Sequence, residues 1–139
     1  MINLEQARAI VSGTRAKGRE MGLNPLTVVV LDAGGHLVAM EREDGAAYGR
    51  PDVAAGKAAG ALAMGTSSRK LGDMAAERPQ FMAALSVAWA GKMIPAAGGV
   101  LVKDAQGRLL GAVGVSGDLS DKDEEAAFAG IAAAGLIAG

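Results

Sequence analysis

The chain has 139 residues, with 14 basic and 15 acidic side chains and a formal charge of −1. It has no cysteine, one histidine and four aromatic residues. That excludes disulfides, a thiol nucleophile, cysteine-ligated metals and any site built from several imidazoles.

The charges are interspersed and form no basic run, which argues against a nucleic-acid partner. The longest uncharged stretch, residues 126–139, covers only 14 positions. It is too short to cross a bilayer, so no membrane role is expected. Met1–Glu5 lacks the basic start and apolar run of a secretion signal, and the expectation is a cytoplasmic protein. The length suits one domain over residues 1–139. The apolar content is dominated by 30 alanines, and 21 glycines join them. Such a core of small pieces lets backbones approach closely but buries little area per residue. A homo-oligomer is expected to complete it.

Residues 3–21 predict a helix. Asn3 suits the N-cap, Gln6 can answer it, and Gly22 and Pro25 end it. Leu26–Leu31 is a short β-branched run that predicts a strand buried on both faces. Asp32-Ala33-Gly34-Gly35 is a turn, and His36–Glu41 returns as the second strand of a hairpin. Pro51 and Asp52 open a helix reaching Met64, with a face of Ala and Gly. Ser67 or Ser68 caps a short helix over Arg69–Glu77, and Pro79 opens another to about Trp89. Residues 92–97 read as an edge strand or a loop. Gly98-Gly99 lead into a second hairpin, Val100–Lys103 and Arg108–Val115. Its turn, Asp104-Ala105-Gln106-Gly107, repeats the first at an offset of 72 residues. In both, an Asp carboxylate can bind the amides ahead of it and a glycine supplies a positive φ. A last helix begins near Ser120, where Ser120–Asp123 resembles a capping box, and runs almost to the terminus. The order is α-ββ-ααα-(β)ββ-α. It implies an α/β fold of the α+β type: a central antiparallel sheet of four or five strands with helices on both faces.

Few side chains stand out as chemical. His36 follows the first turn and suits a structural position, a general base or a haem iron ligand. Asp32, Arg42 and Asp44 surround the first hairpin. They read either as a turn aspartate with a surface ion pair or as a polar rim for an anion. Lys57 sits among Ala and Gly, and the sequence favours a solvent-facing lysine. The other readings are a carboxylate contact or a desolvated amine nucleophile. Gly111–Gly117 lacks the spacing of a phosphate loop and reads as a strand. The segment 72–92 holds Phe81 and Trp89 and is a candidate pocket wall. No protein-only metal site is expected.

The combination of Val30–Val38, Arg42 with Asp44-Gly45-Ala46, Ala54 to Lys57-Ala58, Pro95 with Gly98-Gly99, Gly111–Gly117 and Asp123-Glu124 resembles the GlcG/HbpS family. This is the haem-binding or haem-degrading-like domain also found at the C-terminus of PduO proteins. The resemblance covers nearly the whole chain. It implies a central antiparallel sheet, homo-oligomers that are dimer-based and extend to a tetramer or octamer, and association with haem binding or with catabolic operons. Its matched polar positions are Asp32, His36, Arg42, Asp44, Lys57, Ser116 and Asp123. Together with Gly98 and Gly99, the residues His36, Arg42, Asp44, Lys57 and Ser116 form the expected ligand-binding set. The first helix carries no histidine, in contrast to the PduO-type domain.

Three readings follow. The first is a small-ligand-binding protein taking haem or another tetrapyrrole, with His36 as the only imidazole for the iron. The second is a catabolic enzyme acting on a small carboxylate or aromatic acid. There Arg42 or Lys57 would hold the acid, and His36 or Asp32, with Lys57 as a further catalytic candidate, would act on it. The third is a structural or regulatory homo-oligomer without catalysis.

Overall fold

Asn3 opens the first helix, α1 (Leu4–Glu20), in a computed structural model that describes all 139 residues. Its side chain accepts from the Gln6 amide at 2.8 Å, and Gln6 Oε1 accepts from the Asn3 amide at 3.0 Å. The capping box read from the sequence is therefore formed. Ala7, Ile10, Val11 and Thr14 make the buried stripe.

The two hairpins are β1 (Thr27–Asp32) with β2 (Leu37–Arg42) and β3 (Gly99–Lys103) with β4 (Leu109–Ser116). Between them lie α2 (Arg50–Met64), α3 (Ser68–Glu77) and α4 (Pro79–Ala88). After β4 come α5 (Ser120–Ala133) and a two-residue strand, β5 (Ile137–Ala138). The sheet has five strands in the order β2-β1-β4-β3-β5, all pairs antiparallel. The α+β sheet with helices on both faces is thus observed.

Alternation along the strands sorts the core into two layers. Val28, Val30, Val100, Val102, Val113 and Val115 face α1 and α5, where they meet Ile10, Val11, Ala127 and Ile131. Val29, Leu31, Leu101 and Ala112 face α2 and meet Ala54, Ala58 and Ala61. β1 is buried almost throughout, as its unbroken apolar run requires. A smaller cluster, Leu71, Met82 and Met93, ties α3 and α4 to the loop behind them.

Small residues set the layer spacing. A Cβ on Gly114 would strike the Ala54 carbonyl oxygen, so α2 lies directly on β4. A Cβ on Gly130 would strike Thr14 Oγ1 and come within 2.6 Å of the Ile10 carbonyl oxygen, so α1 and α5 touch backbone to backbone.

Two details differ from the sequence reading, and one open alternative is decided. The last helix stops at Ala133. Gly135 takes φ +73, its amide donates to Ala132 at 2.9 Å, and Leu136 donates back to Ile131 at 3.1 Å. This is a Schellman end, and it turns the chain back so that Ile137 and Ala138 pair with Lys103 and Val102. The fifth strand therefore comes from the C-terminal end. Residues 92–97 contain no strand and follow the loop alternative. Finally, the N-cap of α5 is Leu119, without a side-chain cap, and the expected box at Ser120–Asp123 is absent. Asp123 instead accepts from the Asp118 amide at 3.0 Å.

Candidate functional site

The register divides the sequence-predicted residues between the two ends of the sheet. Thr27 pairs with both Arg42 and Ser116, and Gly99 pairs with Gly114. Arg42, Asp44, Lys57, Gly98, Gly99, Ser116 and Asp123 therefore gather at one end. Asp32 pairs with Gly111 at the opposite end, beside the β1–β2 turn that carries His36. Five strand steps separate the two groups, roughly 17 Å.

At the first end the central feature is buried. Lys57 Nζ donates to the Val115 carbonyl at 2.9 Å and to Asp123 Oδ2 at 3.2 Å. Both side chains are essentially inaccessible, at 3% and 0% exposure. Lys57 is thus not the solvent-facing lysine its surroundings in the sequence favour. Its amine reaches past the sheet end because Gly98, at φ +125, has no Cβ to block it: an added Cβ would lie 3.0 Å from Nζ. Burial pushes the Lys57 pKa down and the Asp123 pKa up, and each partner's charge opposes the shift. Ser68 Oγ accepts from the Gly99 amide at 2.7 Å, which fixes the glycine pair against α3. Gly98 and Gly99 are buried, so they shape the fold at this end. Ser116 Oγ accepts from Arg50 at 3.1 Å. Arg42 donates to the Ala46 carbonyl at 2.9 Å and pins the following loop, while Asp44 is exposed. Arg42 and Asp44 form no ion pair with each other, and both lie away from Asp32.

At the other end Asp32 organises the turn. Its Oδ1 accepts from the Gly34 amide at 2.9 Å and the His36 amide at 3.0 Å. These bonds hold its carboxyl below the ordinary range. The same oxygen faces His36 Nδ1 at 3.3 Å. When Nδ1 carries the proton, Nε2 keeps its lone pair free. The imidazole is 80% exposed and lies over Gly34. Asp104 repeats the arrangement in the second turn, accepting from the Gln106 and Arg108 amides at 2.9 Å. No group of three or more acidic, histidine or cysteine side chains is placed to hold a metal ion.

A trough opens between the first hairpin and α2. Its inner part, about 360 Å³, is lined by Val29, Leu31, Leu37, Met40, Ala55 and Ala59. An adjoining part of about 390 Å³ runs past Gly34 and Gly35 to Leu62 and Trp89. Lys92 lines both. His36 lies in sequence between two lining residues, Gly35 and Leu37, but lines neither part of the trough itself. No residue of the predicted ligand set lines this trough.

The family model described as haem degrading protein, HbpS-like, matches residues 2–132. The chain belongs to the HbpS-like family. Among solved structures, HbpS is 26% identical, with 94% of this chain and 88% of that chain covered and a TM-score of 0.80. A PduOC–heme complex is 24% identical, with coverage of 98% and 96% and a TM-score of 0.86. The Klebsiella pneumoniae protein ORFY is 23% identical, with coverage of 96% and 90% and a TM-score of 0.86. These last two likenesses concern the fold. No curated protein sequence matches this one.

Within this HbpS-like chain, several site residues escape a reading of the sequence. Lys92 reaches the trough only because the loop after α4 folds back under α2, a tertiary event without a local signal. Trp89, named with segment 72–92 as a candidate pocket wall, lines the outer part of the trough. Phe81 from the same segment instead lies under the Arg78 guanidinium, 4.3 Å from its ring centre, and outside the trough. Arg50 carries no local sequence signal beyond its place before Pro51. No helix of the structure is long and apolar enough to cross a membrane.

Proposed function

We propose that this HbpS-like chain is a small-ligand-binding protein whose trough takes a planar, largely apolar molecule with acidic substituents, of the tetrapyrrole class and haem in particular. The observation that carries the reading is an apolar trough walled in part by the turn that bears the one imidazole, whose Nδ1 faces a carboxylate at 3.3 Å. Metal-binding histidines are commonly oriented through their second nitrogen in this way, with the other nitrogen left for the metal. The residues fit the group. Leu31, Leu37, Met40 and Trp89 offer apolar cover, His36 Nε2 is free to ligate iron, and the Lys92 ammonium suits a propionate. Haem, when bound, would supply the redox chemistry. The chain's own part is to orient the ring through His36 and to neutralise an acid at Lys92. Membership of a family described by haem degradation supports the reading, as does a chain of the same fold solved with heme.

The trough is open on one side, so one subunit covers one face of a flat ligand. A homo-oligomer in which a second copy covers the other face belongs to this proposal.

The test is a hemin titration followed by the Soret band. Saturable binding with a shifted band is expected. His36→Ala should change the band position, and Lys92→Ala should weaken affinity by roughly tenfold, the loss of one charge-assisted hydrogen bond. Absence of a saturable shift in the wild-type protein would sink the haem reading.

The enzyme reading, with an acid held by Arg42 or Lys57 and His36 or Asp32 acting on it, finds its two halves at opposite sheet ends.

A further inference from the structure

We infer that Arg50, with the Ser116 and Thr27 hydroxyls beneath it, forms a second binding site, for a small monocarboxylate, at the sheet end opposite His36. The starting observation is a half-buried guanidinium that forms no ion pair. Arg15, Arg19, Arg69 and Arg108 each engage a carboxylate. Arg50 is half-buried and engages only the Ser116 hydroxyl, which accepts from one nitrogen at 3.1 Å. Four of its five N–H donors remain for another acceptor.

A second, independent observation lies next to it. Thr27 Oγ1 is fully buried and has no hydrogen-bond partner. Thr27 is the register partner of Ser116 across β1 and β4. It shares the sheet face of Val29 and Leu31, the face that α2 covers. Both hydroxyls therefore sit on the floor beneath Arg50. A buried hydroxyl without a partner costs stability, and native structures rarely keep one without a reason.

The backbone adds to the site. Arg50 is the first residue of a 15-residue helix whose N-cap, Gly49, provides no side-chain acceptor. The positive end of α2 is therefore uncapped. The acidic residue of that first turn, Asp52, lines the trough, two positions and about 200° round the helix from Arg50.

Charge decides the ligand class. Near Arg50 stand Lys57, Asp118 and Asp123, and the four formal charges cancel. A carboxylate therefore adds one net negative charge beside Asp118, and a phosphate dianion adds two, which Asp118 opposes more strongly. A carboxylate also matches the flat fork of the guanidinium with two parallel hydrogen bonds. To bind it, Arg50 swings off Ser116, and the ligand oxygen takes the Thr27 hydroxyl as donor.

The site is separate from the trough, and a protein that takes no hemin still serves for the test. Acetate is titrated into the intact protein, and the Arg50 Nε–H resonance is followed by NMR, with inorganic phosphate as the comparison. A saturable shift with acetate, and a weaker one with phosphate, is expected. Arg50→Gln should weaken acetate binding at least tenfold, and Arg50→Lys should recover part of it. Thr27→Val, which keeps the shape and removes the hydroxyl, should weaken it about fivefold while leaving the fold intact. No saturable shift, unchanged affinity in Arg50→Gln or Thr27→Val, or phosphate binding as tight as acetate would overturn the proposal.

Discussion

Lys57 on α2 and Asp123 on α5 meet at 3.2 Å although their helices cover opposite faces of the sheet. The contact passes the end of β4, where the Val115 carbonyl takes a further proton of the same ammonium. The pair therefore fastens one helical layer to the other through the sheet end. Breaking a buried pair from one side leaves an uncompensated charge, which costs about 3–5 kcal/mol. Lys57→Met and Asp123→Leu are each expected to lower stability by that order in urea unfolding. The double variant, with both charges gone, should regain most of the loss. If the double variant is as unstable as the sum of the singles, the pair is not coupled as described.

Local signals account for most of the fold. Each expected helix and hairpin strand is present, and apart from the early end of the last helix their ends shift by a residue or two, because caps, prolines and glycine turns act within a few positions. The chain's last turn was also open to such a reading: Gly135 followed by Leu136 is a helix stop with an apolar return, obscured by the alanine run around it. The ion pair was not legible. Nothing near residue 57 reveals that Gly98, 41 positions on, leaves room for its amine. The two-ended placement of the polar residues was equally hidden, since strand register decides it and sequence order does not.

Gly114 sets how closely α2 lies on the sheet. An alanine there would run into the Ala54 carbonyl, which is backbone and cannot rotate away. Overpacking of this kind typically costs about 1–3 kcal/mol. Gly114→Ala should therefore lower the midpoint of thermal unfolding. A compensating Ala58→Gly, opening space at the neighbouring Cβ 3.1 Å from the added methyl, should recover little, because the carbonyl remains.

Glu43 does more than its position after β2 suggests. Its carboxylate accepts from the Leu26 amide at 2.7 Å and from Arg15 and Arg19 at 3.2 Å each. It thereby joins α1 to the start of β1. Glu43→Ala would leave a buried amide without an acceptor, a loss of about 1–3 kcal/mol. Glu43→Gln keeps one carbonyl oxygen for Leu26 and should cost less. Amide exchange at Leu26 reads this directly: it should speed up in the alanine variant and remain slow in the glutamine one.

Acid should unfold the protein partly through its turns. Asp32, Asp104 and Asp118 all have carboxyls held below the ordinary aspartate value of 3.8, chiefly by backbone amides that donate to them. A carboxyl with a lowered folded-state value contributes stability above its unfolded value and loses it as pH falls through the folded one. The loss therefore falls below pH 3.8. Asp123 runs the other way, since burial raises its value and its contribution is lost as pH rises. Asp104→Asn keeps an oxygen for the Gln106 and Arg108 amides but no longer titrates. It should flatten the acid limb of a stability–pH curve by lowering the neutral plateau, where the ionised carboxylate contributes, while leaving stability in strong acid little changed. An unchanged acid limb in Asp104→Asn and in the matching Asp32→Asn would mean that the turns do not govern acid unfolding.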